Sequence, residues 1–205
     1  MSEQISVMLD YQDAMNCRVH NDWREQRFPW CRAIWIECAE LIDHYGWKWW
    51  KKQSPDTEQV KLELIDIWHF GLSHLMMSDT DADTIAQALS DGIEHPAEDF
   101  LAIIELFVQD TLTHQQFDPL LFGQAMGAIS FTFDELFIGY MGKNVLNFFR
   151  QDNGYKEGHY QKNWDGREDN EHLVEIVATL DSSDSEFKHI LYQALAKRYT
   201  EIAAK

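Results

Sequence analysis

The sequence predicts an all-α fold, a multi-helix bundle of roughly five to seven helices. Only 4 Pro and 10 Gly occur among 205 residues, which leaves little material for the many turns of an all-β sandwich. Hydrophobic residues make up 45% of the chain and charged residues 25%, proportions typical of a chain that buries a core rather than a disordered one. No repeat or linker divides the sequence, so we expect one domain over residues 1–205.

Apolar residues at helical spacing predict three helices in the first half of the chain. The first is expected at about residues 7–16, and the second at about residues 27–44 with Pro29 in its first turn. The third is expected to have Ser54 as its N-cap, with Pro55 at its first position, and to run toward Met77. Residues 78–99 are acidic and small, which predicts a solvated excursion with at most one short helix.

The second half predicts three more helices and one loop. Helices are expected at about residues 96–111 and, as a single longer helix, at about residues 119–149. Residues 150–170 contain Gly154, Gly158 and Gly166 and are predicted to form an ordered loop. The last helix is expected to begin at a capping box over Ser183–Glu186.

The charge and the cysteines exclude several classes of function. A net charge of −18 repels phosphate backbones at long range, so we expect no nucleic-acid partner, although a small phosphate ligand is compatible with it. Three cysteines with no CxxC pair indicate reduced thiols rather than a disulfide framework. The N-terminal residues lack a basic signal region and no 18-residue apolar run follows, so we expect a cytoplasmic protein with no membrane partner.

Two pairs of carboxylates stand out because each lies in a strongly apolar helix. Glu37 and Glu40 share one helix face, as do Glu63 and Asp66 on the next predicted helix. A short connection predicts that these helices pack antiparallel, so the four carboxylates can converge. Four unpaired anions in one cleft require protonation or bound cations, and all-oxygen ligands suit Mg²⁺. The alternative is two amphipathic helices whose acidic residues lie at the boundary of the core.

A basic segment with glycines and aromatic residues predicts an anion site. Residues 143–167 hold five basic side chains, although the chain as a whole is strongly acidic. Lys143, Asn147 and Arg150 have the spacing i, i+4, i+7 and share a helix face. They can present a polar side to a ligand, while the alternative is a basic surface turn that balances nearby acids.

Several motifs in one order resemble the dimeric all-α dUTP diphosphatases, within the wider all-α nucleotide pyrophosphohydrolases. The resemblance extends over about residues 8–170. It rests on both acidic pairs, on Gln12-Asp13-…-Asn16-…-Trp23, on Trp47-Lys48-Trp49-Trp50-Lys51, and on Gly142-Lys143-…-Asn147-…-Arg150-Gln151-…-Gly154-Tyr155-Lys156-Glu157-Gly158.

The resemblance implies a homodimer with a four-helix catalytic core that hydrolyses dUTP to dUMP and diphosphate with Mg²⁺, or with Mn²⁺ as an alternative ion. It implies that the metal ligands and catalytic residues are Glu37, Glu40, Glu63 and Asp66. It implies that uracil and deoxyribose are held by Gln12, Asn16, Trp49 and Asn147, with His69 and Phe70 near the sugar. The phosphates would be bound by Lys143, Arg150, Tyr155, Lys156 and Lys162.

Three other functions remain open at this point. A relative in the same superfamily would hydrolyse a nucleotide with a different base. A di-iron carboxylate bundle normally needs Glu-x-x-His pairs on two helices, and the chain offers only a partial match around Glu63 and a distant pair at Glu186 and His189. A helical interaction module without catalysis would not need the carboxylates. The chain contains no His-Asp dipeptide, which argues against a phosphohydrolase with that signature.

Overall fold

A computed structural model describes residues 1–182 and 184–203, and within these residues the chain forms nine α-helices and one short hairpin. The helices are α1 (Ser2–Val19), α2 (Trp30–Tyr45), α3 (Thr57–Met77), α4 (Ala82–Glu94), α5 (Phe100–His114), α6 (Pro119–Ala128), α7 (Phe133–Asp152), α8 (Asp169–Val177) and α9 (Phe187–Ala203). The antiparallel strands β1 (Asn163–Trp164) and β2 (Arg167–Glu168) precede α8. The all-α prediction is confirmed.

Helix α3 forms the centre of the bundle. Its buried residues include Leu64, Ile67, Trp68 and Leu72, none of which is exposed to solvent. Helices α1, α2 and α7 all pack against it. Because α3 has neighbours on several sides, its apolar residues surround the helix rather than forming one narrow stripe.

Helix α2 reaches α3 through a connection that begins at Gly46. This residue has φ +90°, a backbone conformation that L side chains rarely adopt, and its N–H caps the helix by donating to the carbonyl of Ile42. The start of α3 differs from the prediction. Asp56, rather than Ser54, is the N-cap, and its side chain accepts a hydrogen bond from the Gln59 backbone N–H at 3.3 Å. The predicted N-cap Ser54 was therefore wrong by two residues.

Residues 78–99 are more ordered than expected. Helix α4 is 13 residues long, and it buries Ile85 and Leu89 against the core. It crosses α6 closely, and glycines at the crossing allow this approach. A Cβ atom on Gly92 would collide with the backbone carbonyl of Leu120, and one on Gly123 with backbone atoms of α4. The acidic residues are N-terminal or solvent-facing, so the acidic composition concealed a packed helix.

The predicted long helix at residues 119–149 is two helices. Helix α6 ends at Ala128, and Ser130 takes a left-handed conformation with φ +56°. Thr132 then caps α7 in a capping box with Glu135, in which the two residues exchange side-chain to backbone hydrogen bonds. The Thr-x-x-Glu signature was in the sequence but lay inside a continuous apolar pattern.

Residues 150–170 are not one loop. Helix α7 continues to Asp152, and the chain then makes a turn and the hairpin, whose two central residues, Asp165 and Gly166, have φ +54° and +83°. An Asp-Gly pair between two short strands is a strong hairpin signal that the sequence analysis missed, and α8 was missed as well. The predicted cap of the last helix at Ser183 lies outside the described residues. The described helix α9 begins at Phe187.

None of the helices formed by the described residues combines the length and the apolar composition needed to span a membrane.

Candidate active site

One cleft of about 1040 Å³ lies between α1, α2, α3 and α7, and its volume is at the upper end of the range for small-molecule sites. Four helices therefore supply its walls, and the turn after α7 and the start of α8 close one end. Thirteen of the fifteen site residues predicted from the sequence line this cleft. They are Gln12, Asn16, Glu37, Glu40, Glu63, Asp66, His69, Phe70, Lys143, Asn147, Arg150, Tyr155 and Lys162.

Helix α3 determines the order in which acidic, aromatic and neutral polar side chains follow one another along the cleft. Glu63, Asp66, Phe70 and Ser73 follow one another at helical spacing, so they lie along one face. The span from Glu63 to Ser73 is ten residues, or about 15 Å at 1.5 Å per residue. The carboxylates therefore lie at one end of the cleft, and a neutral polar cluster lies at the other.

Three carboxylates meet at the first end. One carboxylate oxygen each from Glu37, Glu63 and Asp66 lies within 4.8 Å of the other two. Glu40 lies outside this group and is exposed, although its charge still acts on Glu37 and Glu63. The structure thus brings the two predicted acidic pairs together, with three of the four carboxylates in direct proximity.

The crowding of these acids changes their protonation. Burial, together with the charges of Asp66 and Glu63, raises the pKa of Glu37 to about 8. Burial and the charge of Asp66 raise the pKa of Glu63 to about 7, although a hydrogen bond from Glu37 and the positive charge of Lys143 oppose the shift. The raised pKa values of Glu37 and Glu63 show that negative charge is unfavourable there without a counter-ion. The carboxylate cluster is therefore chemically suited to a hard divalent cation, which would replace the protons of the two glutamates.

Cations border the carboxylate cluster on the side of α7. The Lys143 side chain is only 2% exposed, and its Nζ donates to Asp66 Oδ2 at 2.7 Å and to Asn170 Oδ1 at 2.9 Å. Arg150 lies about two turns further along the same face of α7. It is paired with the fully buried Asp169. Tyr155 lies under the guanidinium group of Arg150, with the ring centroid 5.8 Å from Cζ. This side of the cleft can therefore bind an anion.

The other end of the cleft contains a buried network of neutral polar groups. Gln12 Nε2 donates to Asn16 Oδ1 at 3.1 Å and to Ser73 Oγ at 3.1 Å. Asn16 Nδ2 donates to the same Ser73 Oγ at 3.0 Å, and Ser73 Oγ donates to the carbonyl of His69 at 3.0 Å. Tyr140 contacts Gln12 Oε1 at 3.1 Å and stacks on His69. The network fixes both amide groups.

His69 is neutral in this environment. Burial lowers the pKa of His69 to about 3, which outweighs the opposing charge of Asp66. Its Nδ1 lies 2.7 Å from Gln12 Oε1, so Nδ1 carries the proton and Nε2 is an acceptor. Within the described part of the chain, Nε2 has no hydrogen-bond partner. The imidazole, which lines the cleft, therefore keeps one buried acceptor unused.

Aromatic rings form the apolar wall between the two ends. Phe70 contacts Trp30 with ring centroids 6.3 Å apart, and Trp30 contacts Phe28 at 5.6 Å. All three rings line the cleft. Neither Phe28 nor Trp30 was among the site residues predicted from the sequence.

Two predicted site residues do not line the cleft. Trp49 is 89% exposed in the connection between α2 and α3, where its ring contacts Trp50. Lys156 is also exposed, and its Nζ donates to the backbone carbonyl of Val19 at 2.8 Å, at the C-terminal end of α1. Lys162 lines the cleft but is paired with Glu168 at 3.1 Å.

Four cleft residues or supports were not found from the sequence: Ser73, Tyr140, Asp169 and Asn170. Ser73 and Tyr140 looked like ordinary members of apolar helices. Asp169 and Asn170 lie in the run Glu168–Glu171 before an apolar segment, which is the pattern of a helix start. That signal predicts α8 but does not indicate which residues its first turn contacts.

Comparison with known proteins identifies the family. No curated protein matches the chain. The family model described as dUTPase matches residues 4–155, which is well over half of the chain. The matched residues include all four predicted metal ligands and the cations on α7. This match, on an all-α fold whose helices α1, α2, α3 and α7 enclose the carboxylate cleft, shows that the chain belongs to the all-α dUTPase family and is a dUTP-hydrolysing enzyme.

Proposed function

We propose that this protein hydrolyses dUTP to dUMP and diphosphate and that the reaction depends on Mg²⁺. The observation that carries this proposal is the contact between Lys143 and Asp66 at 2.7 Å. It places a buried cation directly beside a cluster of three carboxylates in the same cleft. A triphosphate with divalent ions would complement this arrangement, because the divalent ions match the carboxylates and the phosphates match the buried cation.

Glu37, Glu63 and Asp66 would hold the divalent ion, with Glu40 completing the set at the exposed edge of the cluster. When bound, Mg²⁺ would neutralise phosphate oxygens and increase the acidity of the attacking water. Mn²⁺ prefers similar ligands and is the alternative ion.

The chain's own residues supply the remaining steps. Water forms a new P–O bond, and the bridge between the α- and β-phosphorus atoms breaks. The proton of the water passes to a carboxylate, and we assign this role to Glu40 or Glu37. Lys143 and Arg150 stabilise the charge that develops on the departing diphosphate.

The amide network supports recognition of uracil. Asn16 uses one N–H and one lone pair inside the network, which leaves one donor and one acceptor. Uracil presents an acceptor and a donor side by side at O4 and N3–H, and the remaining capacity of Asn16 matches them. Cytosine presents the reverse order on this edge, so binding it would require Asn16 to turn its amide against Gln12 and Ser73.

We assign the deoxyribose to the middle of the cleft. His69 lines the cleft here with a buried, unused acceptor at Nε2, which we assign to the deoxyribose hydroxyl, and the Phe70 ring leaves an apolar surface where a 2′-hydroxyl would be unpaired. Asn147 also lines the cleft on α7, where its Oδ1 accepts from Arg150 Nη1 at 3.2 Å.

A nucleotide panel tests the proposal. We expect hydrolysis of dUTP in Mg²⁺, with dUMP and diphosphate as products in equal amounts by chromatography, and loss of turnover in EDTA. Hydrolysis of dCTP, dTTP and UTP should be slower by at least about tenfold, because each leaves a buried polar group unpaired or collides with the wall. Equal rates for dUTP and dCTP would contradict the base assignment, and full activity in EDTA would contradict the metal assignment.

The homodimer implied by the resemblance is part of the proposal. Exposed apolar side chains on α2 and α5, including Trp35, Ile36, Leu106 and Leu112, are suited to an interface. Light scattering at micromolar concentration tests it, and a monomer would contradict it.

A further inference from the structure

Arg150 is held from behind by a residue outside the part of the chain that matches the family. Asp169, the first residue of α8, has no exposed surface. It accepts two hydrogen bonds from Arg150, from Nε to Oδ2 at 2.8 Å and from Nη2 to Oδ1 at 2.7 Å. This fork-to-fork geometry fixes the plane of the guanidinium group.

Asn170, the next residue, connects the two cations of the cleft. Its Oδ1 accepts from Lys143 Nζ at 2.9 Å and from Arg150 Nη2 at 3.2 Å. One amide oxygen thus sets the spacing between an ammonium and a guanidinium group that would otherwise repel each other. No other single side chain in the described residues accepts from both cations.

The two residues are themselves fixed by the hairpin and by the start of α8. The backbone N–H of Asp169 donates to the carbonyl of Lys162 at 2.9 Å, which closes the hairpin. Tyr160 donates its hydroxyl to Asp169 Oδ2 at 2.8 Å. Glu168 and Glu171 form a capping box around the first turn of α8.

The count of donors shows what remains for a ligand. Arg150 has five N–H donors, and four are used by Asp169, Asn170 and Asn147. Lys143 has three, and two are used by Asp66 and Asn170. Among the described residues, each cation therefore keeps one donor without a protein acceptor. Both side chains line the cleft, so a phosphate oxygen there can take these donors.

We propose that Asp169 and Asn170 are positioning residues that hold Arg150 and Lys143 in register for the triphosphate. The proposal rests on the proposed function above. Pre-organisation is the physical reason: a guanidinium group fixed before the substrate arrives loses less rotamer freedom on binding and presents its donor at the developing charge.

A purely structural role for the same residues is the competing explanation, because a buried ion pair also supports the fold. The two explanations differ in what a substitution changes. A positioning residue affects ligands that carry phosphates and acts only through the cation it holds. A structural residue affects the whole cleft, including the base end around Gln12 and Asn16.

Asn170→Ala is the first test, because Asn170 is only partly buried and its removal leaves the Arg150–Asp169 pair intact. We expect KM for dUTP to rise about tenfold, with an unchanged melting temperature. We expect the inhibition constant of deoxyuridine, which has no phosphate, to stay within twofold. Glu175→Gln is the matched control on the same helix, because Glu175 also pairs with arginine but does not line the cleft.

Asp169→Asn combined with Arg150→Ala is the second test. The single change at Asp169 should lower kcat/KM for dUTP about a hundredfold, as a misplaced binding group does. In the Arg150→Ala background the same change should add less than threefold. Multiplying effects in the double variant, or an equal loss of affinity for dUTP and deoxyuridine, would overturn the proposal.

Direct binding keeps this inference separate from the proposed function. Calorimetry on the full chain with Mg²⁺ should give tighter binding of the α,β-imido analogue of dUTP, whose α–β bridge resists hydrolysis, than of deoxyuridine, and Asn170→Ala should reduce that difference. Wild-type protein that shows the difference but hydrolyses another nucleotide faster would refute the assigned substrate alone. Wild-type protein that binds both compounds equally would refute the proposal that Arg150 and Lys143 bind the triphosphate.

Discussion

Removing one carboxylate from the cluster should abolish activity and at the same time stabilise the metal-free protein. The proposed change is Glu37→Gln. Glu37 donates a hydrogen bond to Glu63, and a glutamine amide can donate the same bond without a titrating group. The substitution therefore keeps the contact and removes the repulsion among Glu37, Glu63 and Asp66.

The magnitude follows from the shifted acidity. Burial and the neighbouring acids raise the pKa of Glu37 from 4.5 to about 8. A rise of this size corresponds to an upper bound of about 5 kcal/mol. Because the Glu37 side chain is partly exposed and water screens its charge, we expect about 1–2 kcal/mol at pH 8. For a chain of this length that gives a rise in melting temperature of about 2–8 °C.

The sign of the pH dependence is fixed by the same shift. A carboxyl group whose pKa is higher in the folded state contributes stability that is fully present below its unfolded value. That stability is lost as the pH rises through the folded value, which is about 8 for Glu37 and about 7 for Glu63. Wild-type protein in EDTA should therefore be more stable at pH 6 than at pH 8.5, and Glu37→Gln should reduce this difference.

Thermal unfolding in EDTA at pH 6, 7 and 8.5, followed by circular dichroism, is the measurement. Glu105→Gln is the matched control, because Glu105 is exposed on α5 and its substitution should change nothing. Adding Mg²⁺ should raise the melting temperature of wild-type protein at pH 8.5 and leave that of Glu37→Gln nearly unchanged. A destabilised Glu37→Gln in EDTA at pH 8.5 would refute the repulsion on which this reasoning depends.

The other substitutions separate the metal ligands, the anion site and the fold. Glu63→Gln should lower kcat at least about a thousandfold in Mg²⁺ while circular dichroism shows an unchanged helix content, because the ion would lose one of its three close ligands. Arg150→Lys should raise KM for dUTP at least tenfold, since a lysine ammonium group lacks the planar set of donors that the guanidinium group of Arg150 directs at its partners. Lys156→Ala should change KM less than threefold, because Lys156 contacts the end of α1 and not the cleft; a larger rise would place it in the site. Thr132→Ala should lower stability by about 1 kcal/mol in urea unfolding through loss of the α7 cap, with kcat unchanged.

The carboxylate cluster could be predicted because helix geometry converts spacing into position. The pairs at Glu37/Glu40 and Glu63/Asp66 lie on apolar helices, and a short antiparallel connection leaves few ways to orient them. The structure brings Glu37, Glu63 and Asp66 within 4.8 Å, and Glu40 to the exposed edge. Their role as metal ligands remains a prediction for the experiments above.

Other features of the site could not be predicted because their local sequence has the pattern of core or loop. Ser73 lies in an apolar stretch of α3, and nothing nearby indicates that Gln12 and Asn16 on α1 both bind it. These hydrogen bonds join residues that are about sixty positions apart in the chain. Trp49 illustrates the converse, because its motif predicted a site residue that the structure places 89% in solvent.

The sequence by itself determined the helices and the residue types that carry the chemistry. Periodicity of apolar residues is a local property, and carboxylate, ammonium and amide groups have the same ligand preferences wherever the chain folds. The sequence did not decide where α6 ends and α7 begins, because the apolar pattern is the same on both sides of the break that Thr132 caps. Only the tertiary structure decided how far the carboxylates crowd, and therefore how strongly Glu37 and Glu63 hold protons. It alone placed Asp169 behind Arg150, because pKa and side-chain orientation depend on neighbours that are distant in the chain.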